Sequence, residues 1–251
     1  MSVPRSLRVE AIVLRHREWG EADRMLTLYT RTRGKLRAVA KGARKPRSRK
    51  GGHLQPFTRI QAQLARGRAF YLVTQAETMN AYLPLREDLT LTGYAAYLVE
   101  LLDRFTWEEE SANDALFRLL AVSLERLARG DDAWLVTRYY EIRLLDLLGF
   151  RPQLFSCVQC GAEIAPEDQF FSPAQGGILC PKCGKTDESA HPVSMETLKY
   201  LRHFQRSTYP NARRARPAER VRAESENLMQ NYLTYLLERR LNTPEFLDLV
   251  R

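Results

Sequence analysis

Acidic residues are nearly missing from the first third of this 251-residue chain. Residues 1 to 80 hold 18 Lys and Arg against 5 Asp and Glu, net +13, whereas residues 81 to 251 hold 21 against 25, net −4. Between Arg33 and Lys50 there is no carboxylate at all. A two-metal nuclease needs several carboxylates converging from different elements, so the N-terminal region is a poor place to build one. Long apolar runs are missing too. No stretch approaches the roughly 18 apolar residues of a membrane span, and no apolar segment follows the charged start Met1 to Glu10, so neither a span nor a secretory signal is expected. The four histidines, His16, His53, His191 and His203, are scattered without metal-ligand spacing. Cysteine is confined to four residues in two close pairs. Without an export signal, that pattern points to a reducing cytoplasm and a metal site in preference to disulfides.

What is present is ordinary globular material, with 44% hydrophobic and 27% charged residues. The length allows more than one domain, and the segregation of charge suggests two. Short period-2 segments run through the N-terminal part. In Leu36, Ala38 and Ala40 against Lys35, Arg37 and Val39, one face is apolar and the other mostly cationic, the alternation of a half-buried strand. Ile60, Ala62 and Leu64 against Arg59, Gln61 and Gln63 repeat it. Leu7 to Leu14, Arg24 to Thr30 and Ala69 to Thr74 complete a set of five, with turn signals at Thr32 to Gly34 and Arg66 to Arg68. Five strands in so short a length predict a small barrel of the OB type.

Beyond residue 88 the apolar spacing becomes helical. Leu98, Leu101, Leu102 and Phe105 form one stripe, Leu116, Leu119, Leu120 and Leu127 a second, and Leu135, Tyr139, Ile142 and Leu145 a third. Asp131 and Asp132 stand where an N-cap is wanted, and Gly149 with Pro152 marks a helix stop. Helical spacing returns at Ser194 to Phe204 and at Ala218 to Leu241. The expected organisation is α+β: a barrel over 1–82, a helical domain over 83–153, a cysteine-bearing insert over 154–190 and further helices over 191–251.

Cys157-Val158-Gln159-Cys160 and Cys180-Pro181-Lys182-Cys183 have the CxxC spacing of a four-thiolate zinc site. Two residues between cysteines let the backbone turn and aim both sulfurs at one ion, and Gly161 and Gly184 supply freedom for that turn. Phe170, Phe171, Gly176 and Gly177 suggest a hairpin between the pairs, as in a zinc ribbon. One Zn2+ held by Cys157, Cys160, Cys180 and Cys183 would be coordinatively closed, hence structural.

No catalytic motif completes itself. Gly184-Lys185-Thr186 resembles the end of a phosphate-binding loop, but Leu179 stands where its first glycine belongs. Cys180 to Cys183 lacks the preceding proline and the HxE of a zinc deaminase, since neither His53-Leu54-Gln55 nor His191-Pro192-Val193 supplies the glutamate. Glu21 and Asp23 read as local ion pairs, and Glu108, Glu109 and Glu110 as a solvated run. No enzyme is expected. An RNA-binding or transcription-associated zinc-ribbon module, or less readily a metal-dependent nuclease, is the alternative.

Lys41 to Lys50 places six cations in ten residues. With Lys35 and Arg37 on an exposed sheet face, it can follow a phosphate backbone and release condensed counterions. The residues assigned to this contact are Arg33, Lys35, Arg37, Lys41, Arg44, Lys45, Arg47, Arg49 and Lys50. Candidate stacking residues are Trp19, Tyr29, Phe57, Phe70 and Tyr71, about half of which should be core. Arg213, Arg214, Arg216, Arg220 and Arg222 form a second basic group.

Glu21, Asp23, Thr30, Gly34-Lys35, Lys41-Gly42-Ala43-Arg44 and Ser48-Arg49, followed by helices interrupted by paired CxxC motifs, resemble in order and spacing the bacterial recombination mediator family RecO. The resemblance implies an N-terminal OB fold and a helical domain with a zinc insert. It implies binding of single- and double-stranded DNA without sequence preference and annealing of complementary strands. Its implied partners are RecR, the C-terminal tail of single-stranded-DNA-binding protein and, indirectly, RecA, with nucleoid association in the cytoplasm.

Overall fold

The computed structural model describes residues 6 to 108 and 110 to 250. Met1 to Arg5, read above for a leader, and Glu109, the middle of the glutamate run, lie outside the described residues with Arg251. Five strands, β1 (Ser6–Trp19), β2 (Asp23–Thr30), β3 (Gly34–Ala40), β4 (Arg59–Arg66) and β5 (Tyr71–Asn80), close into a barrel in the order β1-β2-β3-β5-β4. Every pairing is antiparallel except β3 with β5, and β4 closes back on β1. This is the five-stranded closed, OB-like architecture that the alternation predicts.

The barrel interior is filled by alternate residues, among them Val9, Ala11 and Val13 from β1, Leu26 and Leu28 from β2, and Leu36, Ala38 and Ala40 from β3. The outward-facing set departs from a solvated face. Ile12, Met25 and Tyr29 point away from that cluster and are still buried, and on β1 the first long helix packs against the strand. A strand covered on both sides reads as a continuous apolar run, as Ala11 to Leu14 does.

Helices α1 (Pro84–Glu87), α2 (Leu89–Phe105) and α3 (Asp114–Ala128) follow, then α4 (Ala133–Leu148). Asp132 caps α4 by accepting the Leu135 N–H at 3.1 Å, and Gly149 ends it in the left-handed region at φ 83. Next come β6 (Gln169–Ser172), β7 (Gly177–Leu179), α5 (Pro181–Gly184), β8 (His191–Val193), α6 (Met195–Arg206), α7 (Tyr209–Ala212), α8 (Glu219–Leu237) and α9 (Thr243–Val250). The final apolar stretch does not run on to Leu241, because Glu238 takes a positive φ of 51 and stops α8.

Two compact units result. One comprises 1–131 with 242–251, the other 132–241. The helices therefore divide at Asp131 and Asp132, inside the stretch whose spacing reads as one helical domain. In the first unit Glu100 of α2 accepts the backbone N–H of Asn242 and Thr243 and the Thr243 hydroxyl, at 2.7 to 3.1 Å, which pins the start of α9. Burial works against that carboxylate, but these donors outweigh it and hold its pKa below the usual value. No described helix is long and apolar enough to cross a membrane.

Candidate nucleic-acid interface and metal centre

The basic run forms an ordered connection between β3 and β4. Ala43 and Leu54 are buried in the barrel core, and successive turns place Lys45 N–H on Gly42 O and Ser48 N–H on Lys45 O. The Ser48 hydroxyl accepts from Lys50 N and Gly51 N. The β1–β2 turn holds its other side: Asp23 Oδ1 accepts the Gly42 N–H at 2.8 Å, and Ala22 O accepts the Arg44 N–H at 2.9 Å. Asp23 is thus a backbone acceptor. The ion pair assigned to that turn comes instead from Glu18, which meets Arg44 at 2.9 Å, while Glu21 offers its carbonyl oxygen.

The nine cations do not form one surface. Lys41, Lys45, Arg47 and Arg49 are exposed and make no ion pair among the described residues. Arg44 is spent on the β1–β2 turn, and Lys50 donates from Nζ to Val73 O at 3.0 Å. Lys35 is a correction to the exposed cationic face: it is 9% exposed, with its ammonium 2.6 Å from Asp103 O and 3.1 Å from Asp103 Oδ1. Val39, further along the same face of β3, is buried too. The end of α2 and the bridge of Lys35 to Glu108 cover this side of β3. Arg37 meets Glu108 at 2.5 Å, so that glutamate is paired. Arg33 lies exposed in the β2–β3 turn, at the far end of β3 from the basic run, separated by roughly 25 Å of extended chain.

Cations outside the run are missed by counting charge density. Arg17 on β1, Arg66 at the end of β4 and Arg68 in the β4–β5 turn are exposed. The alternation of β1 and the turn signal at Arg66 to Arg68 were the only traces they left. Of the aromatic candidates, Tyr29 and Phe57 are buried, and burial with Glu110 nearby pushes the Tyr29 hydroxyl up to about 12. Tyr71 packs on the barrel core. Trp19 is 41% exposed and Phe70 is half-buried, their ring centroids 6.0 Å apart.

In the second unit the two CxxC motifs come together. The four sulfurs of Cys157, Cys160, Cys180 and Cys183 lie within 4.8 Å of one another, with Cys160 Sγ and Cys180 Sγ 3.9 Å apart. Ligands about 2.3 Å from a tetrahedral zinc would be separated by about 3.8 Å, so the set fits such an ion. Burial would push the Cys157 thiol up, but N–H groups of Cys160, Cys180 and Gln159 aim at its sulfur and hold it at about 6. Cys183, hydrogen-bonded to Cys180 and then disfavoured by burial, is pushed to about 12. Four thiolates this close repel one another, and a divalent cation removes that conflict.

The β6–β7 hairpin, Phe170 facing Leu179, presents the second knuckle, and β8 pairs on the other side of β6. Gly161 takes a φ of 74, as the knuckle turn requires, but Gly184 does not need positive φ. It is a glycine because a Cβ there would stand 2.3 Å from the Phe170 ring. Asp187 ties down the segment after the knuckle, where hydrogen bonds from Ser189 and Ser172 hold its carboxyl at about 2. The second basic group is divided. Arg222 meets Asp132 at 2.6 Å and Arg220 lies 3.8 Å from Glu196, while Arg213, Arg214 and Arg216 are exposed.

Residues 1–82 match the family model described as recombination protein O N terminal, and residues 86–245 match recombination protein O C terminal. A curated protein named DNA repair protein RecO from Roseiflexus sp. (strain RS-1) is 42% identical over 247 residues, 98% of this chain and 87% of that protein. Another of that name from Dehalococcoides mccartyi (strain ATCC BAA-2266 / KCTC 15142 / 195) is 36% identical over 99% of this chain and 97% of its own. One from Desulforamulus reducens is 39% identical over 96% and 93%.

Proposed function

The chain belongs to the recombination protein O family of DNA repair proteins, and we propose that it is a mediator, not an enzyme, which binds single- and double-stranded DNA without sequence preference and anneals complementary strands. The observation that carries this reading is the ordered loop of Lys41, Lys45, Arg47 and Arg49, exposed and unpaired on an OB-like barrel. Such cations take up phosphates and release counterions whatever the sequence. Annealing follows from the same electrostatics. Two polyanionic strands repel, and a surface with excess cations lowers that barrier without bond chemistry or ATP.

The family resemblance extends the proposal to strands coated with single-stranded-DNA-binding protein, to contact with that protein's C-terminal tail, and to joint action with RecR in loading RecA. The four-cysteine centre would hold one Zn2+ through Cys157, Cys160, Cys180 and Cys183, with no open position, and so stabilise the second unit. The test is annealing of complementary oligonucleotides with magnesium and no ATP. Faster annealing of intact strands is expected. Strand shortening would overturn the mediator reading, as would strong preference for structured RNA over single-stranded DNA at matched salt.

A further inference from the structure

Two of the stacking candidates, exposed Trp19 and half-buried Phe70, sit where an OB-like barrel presents its binding loops. Trp19 ends β1 at the β1–β2 turn, and Phe70 closes the β4–β5 turn. Loops at these two positions are among those with which such barrels hold oligonucleotides. The rings meet edge to face, centroids 6.0 Å apart at 79°. Each carries a guanidinium: Arg17 lies 5.3 Å from the Trp19 centroid, and Arg37 lies 5.3 Å from that of Phe70. Arg37 is itself fixed by Glu108 at 2.5 Å. The order Arg17, Trp19, Phe70, Arg37 is therefore a connected row, held in place before any ligand arrives.

The row is not core. Trp19 is 41% exposed, and neither ring belongs to the barrel cluster. Exposed Arg68 stands in the same turn as Phe70, with exposed Arg66 at the end of β4 beside it, and Arg44 ties the basic loop to the turn beside Trp19. Cations for phosphates thus border planar groups for bases. The faces of duplex bases are covered by their neighbours, and only unpaired bases can lie on a ring or guanidinium plane.

We infer that Trp19 and Phe70, flanked by Arg17 and Arg37, form a stacking subsite for the unpaired bases of single-stranded nucleic acid, which gives the protein a preference for single strands that its loop cations alone would not. The inference rests on the DNA-binding reading above and deepens it. Bases splayed onto this row leave their pairing edges open, the arrangement a complementary strand needs.

The full-length protein would be titrated with an oligo-dT of about 15 nucleotides, an abasic strand of the same length and charge, and a duplex of that length. The wild type is expected to bind oligo-dT at least about tenfold tighter than the abasic strand. W19A/F70A should bring oligo-dT to the abasic level and leave duplex affinity and salt slope unchanged. A W107F variant removes the other exposed indole, Trp107 at 75%, and leaves Trp134 buried at 6%. In it, oligo-dT should quench the Trp19 emission and the abasic strand should not, a readout that needs no destabilising change. Equal, salt-dependent binding of oligo-dT and abasic strand would overturn the stacking subsite and leave the DNA-binding reading standing. No salt-dependent binding of any of the three would take down both.

Discussion

Replacing Lys41, Lys45, Arg47 and Arg49 together by alanine removes the exposed cations of the basic loop and leaves its anchors, Ala43, Arg44, Ser48 and Leu54, in place. If each cation neutralises one phosphate, the four account for about 2.8 in the slope of log affinity against log salt for single strands, and about 3.6 for duplex. Between 50 and 200 mM salt that slope corresponds to about a 50-fold loss of single-strand affinity, which the variant should no longer show. At low salt the variant should bind more weakly to every sequence by a similar factor. The assay is fluorescence anisotropy of a labelled oligo-dT over a salt series, with the thermal midpoint as a check that the barrel is intact. An unchanged slope in a folded variant would refute the assignment, because counterion release depends on the charges and not on the fold.

Lys35 makes the opposite case. K35A should lower stability by about 1 to 3 kcal/mol, since Asp103 loses its buried partner and keeps, among the described residues, the more exposed Arg15, while the salt slope of DNA binding stays at the wild-type value. The metal centre predicts one zinc per chain by elemental analysis; removing it with a chelator, or making C157S/C180S, should lower the melting temperature of the 132–241 unit far more than that of the barrel unit. Glu100 predicts a pH dependence. Its folded pKa is depressed, so its contribution is full above the unfolded value near ~4.3 and is lost as pH falls through the folded value. E100Q should therefore be less stable than the wild type by about 2 kcal/mol at neutral pH, and the gap should close in acid denaturation profiles as pH falls through the depressed folded value.

The barrel was legible because its inward residues alternate strictly through Leu36, Ala38, Ala40 and Ile60, Ala62, Leu64, and each of these is buried in the barrel core. The cysteine centre was legible because CxxC spacing is a local constraint that survives any tertiary arrangement. What the sequence concealed was the covering of the barrel's outer side. Alternation places Lys35 and Arg37 on the face away from the core but carries no sign that α2 will return to it, bringing Asp103 and Glu108 as partners. The same blindness applies to Asp23 and Gly184. Each role depends on a residue distant in sequence or across a hairpin, Gly42 N–H in one case and the Phe170 ring in the other. Charge density drew attention to the 41–50 loop, whose Lys41, Lys45, Arg47 and Arg49 are exposed, but overlooked Arg66 and Arg68, since two arginines in a short stretch barely register beside six in ten.

The proposed function places DNA at one end of the barrel, on the 41–50 loop and the two turns beside it. Amide hydrogen exchange with and without a saturating single strand locates the contact directly. Slowed exchange is expected across residues 41 to 50, the β1–β2 turn and the β4–β5 turn. Slowing confined to residues 132–241, with the barrel turns unchanged, would contradict that placement.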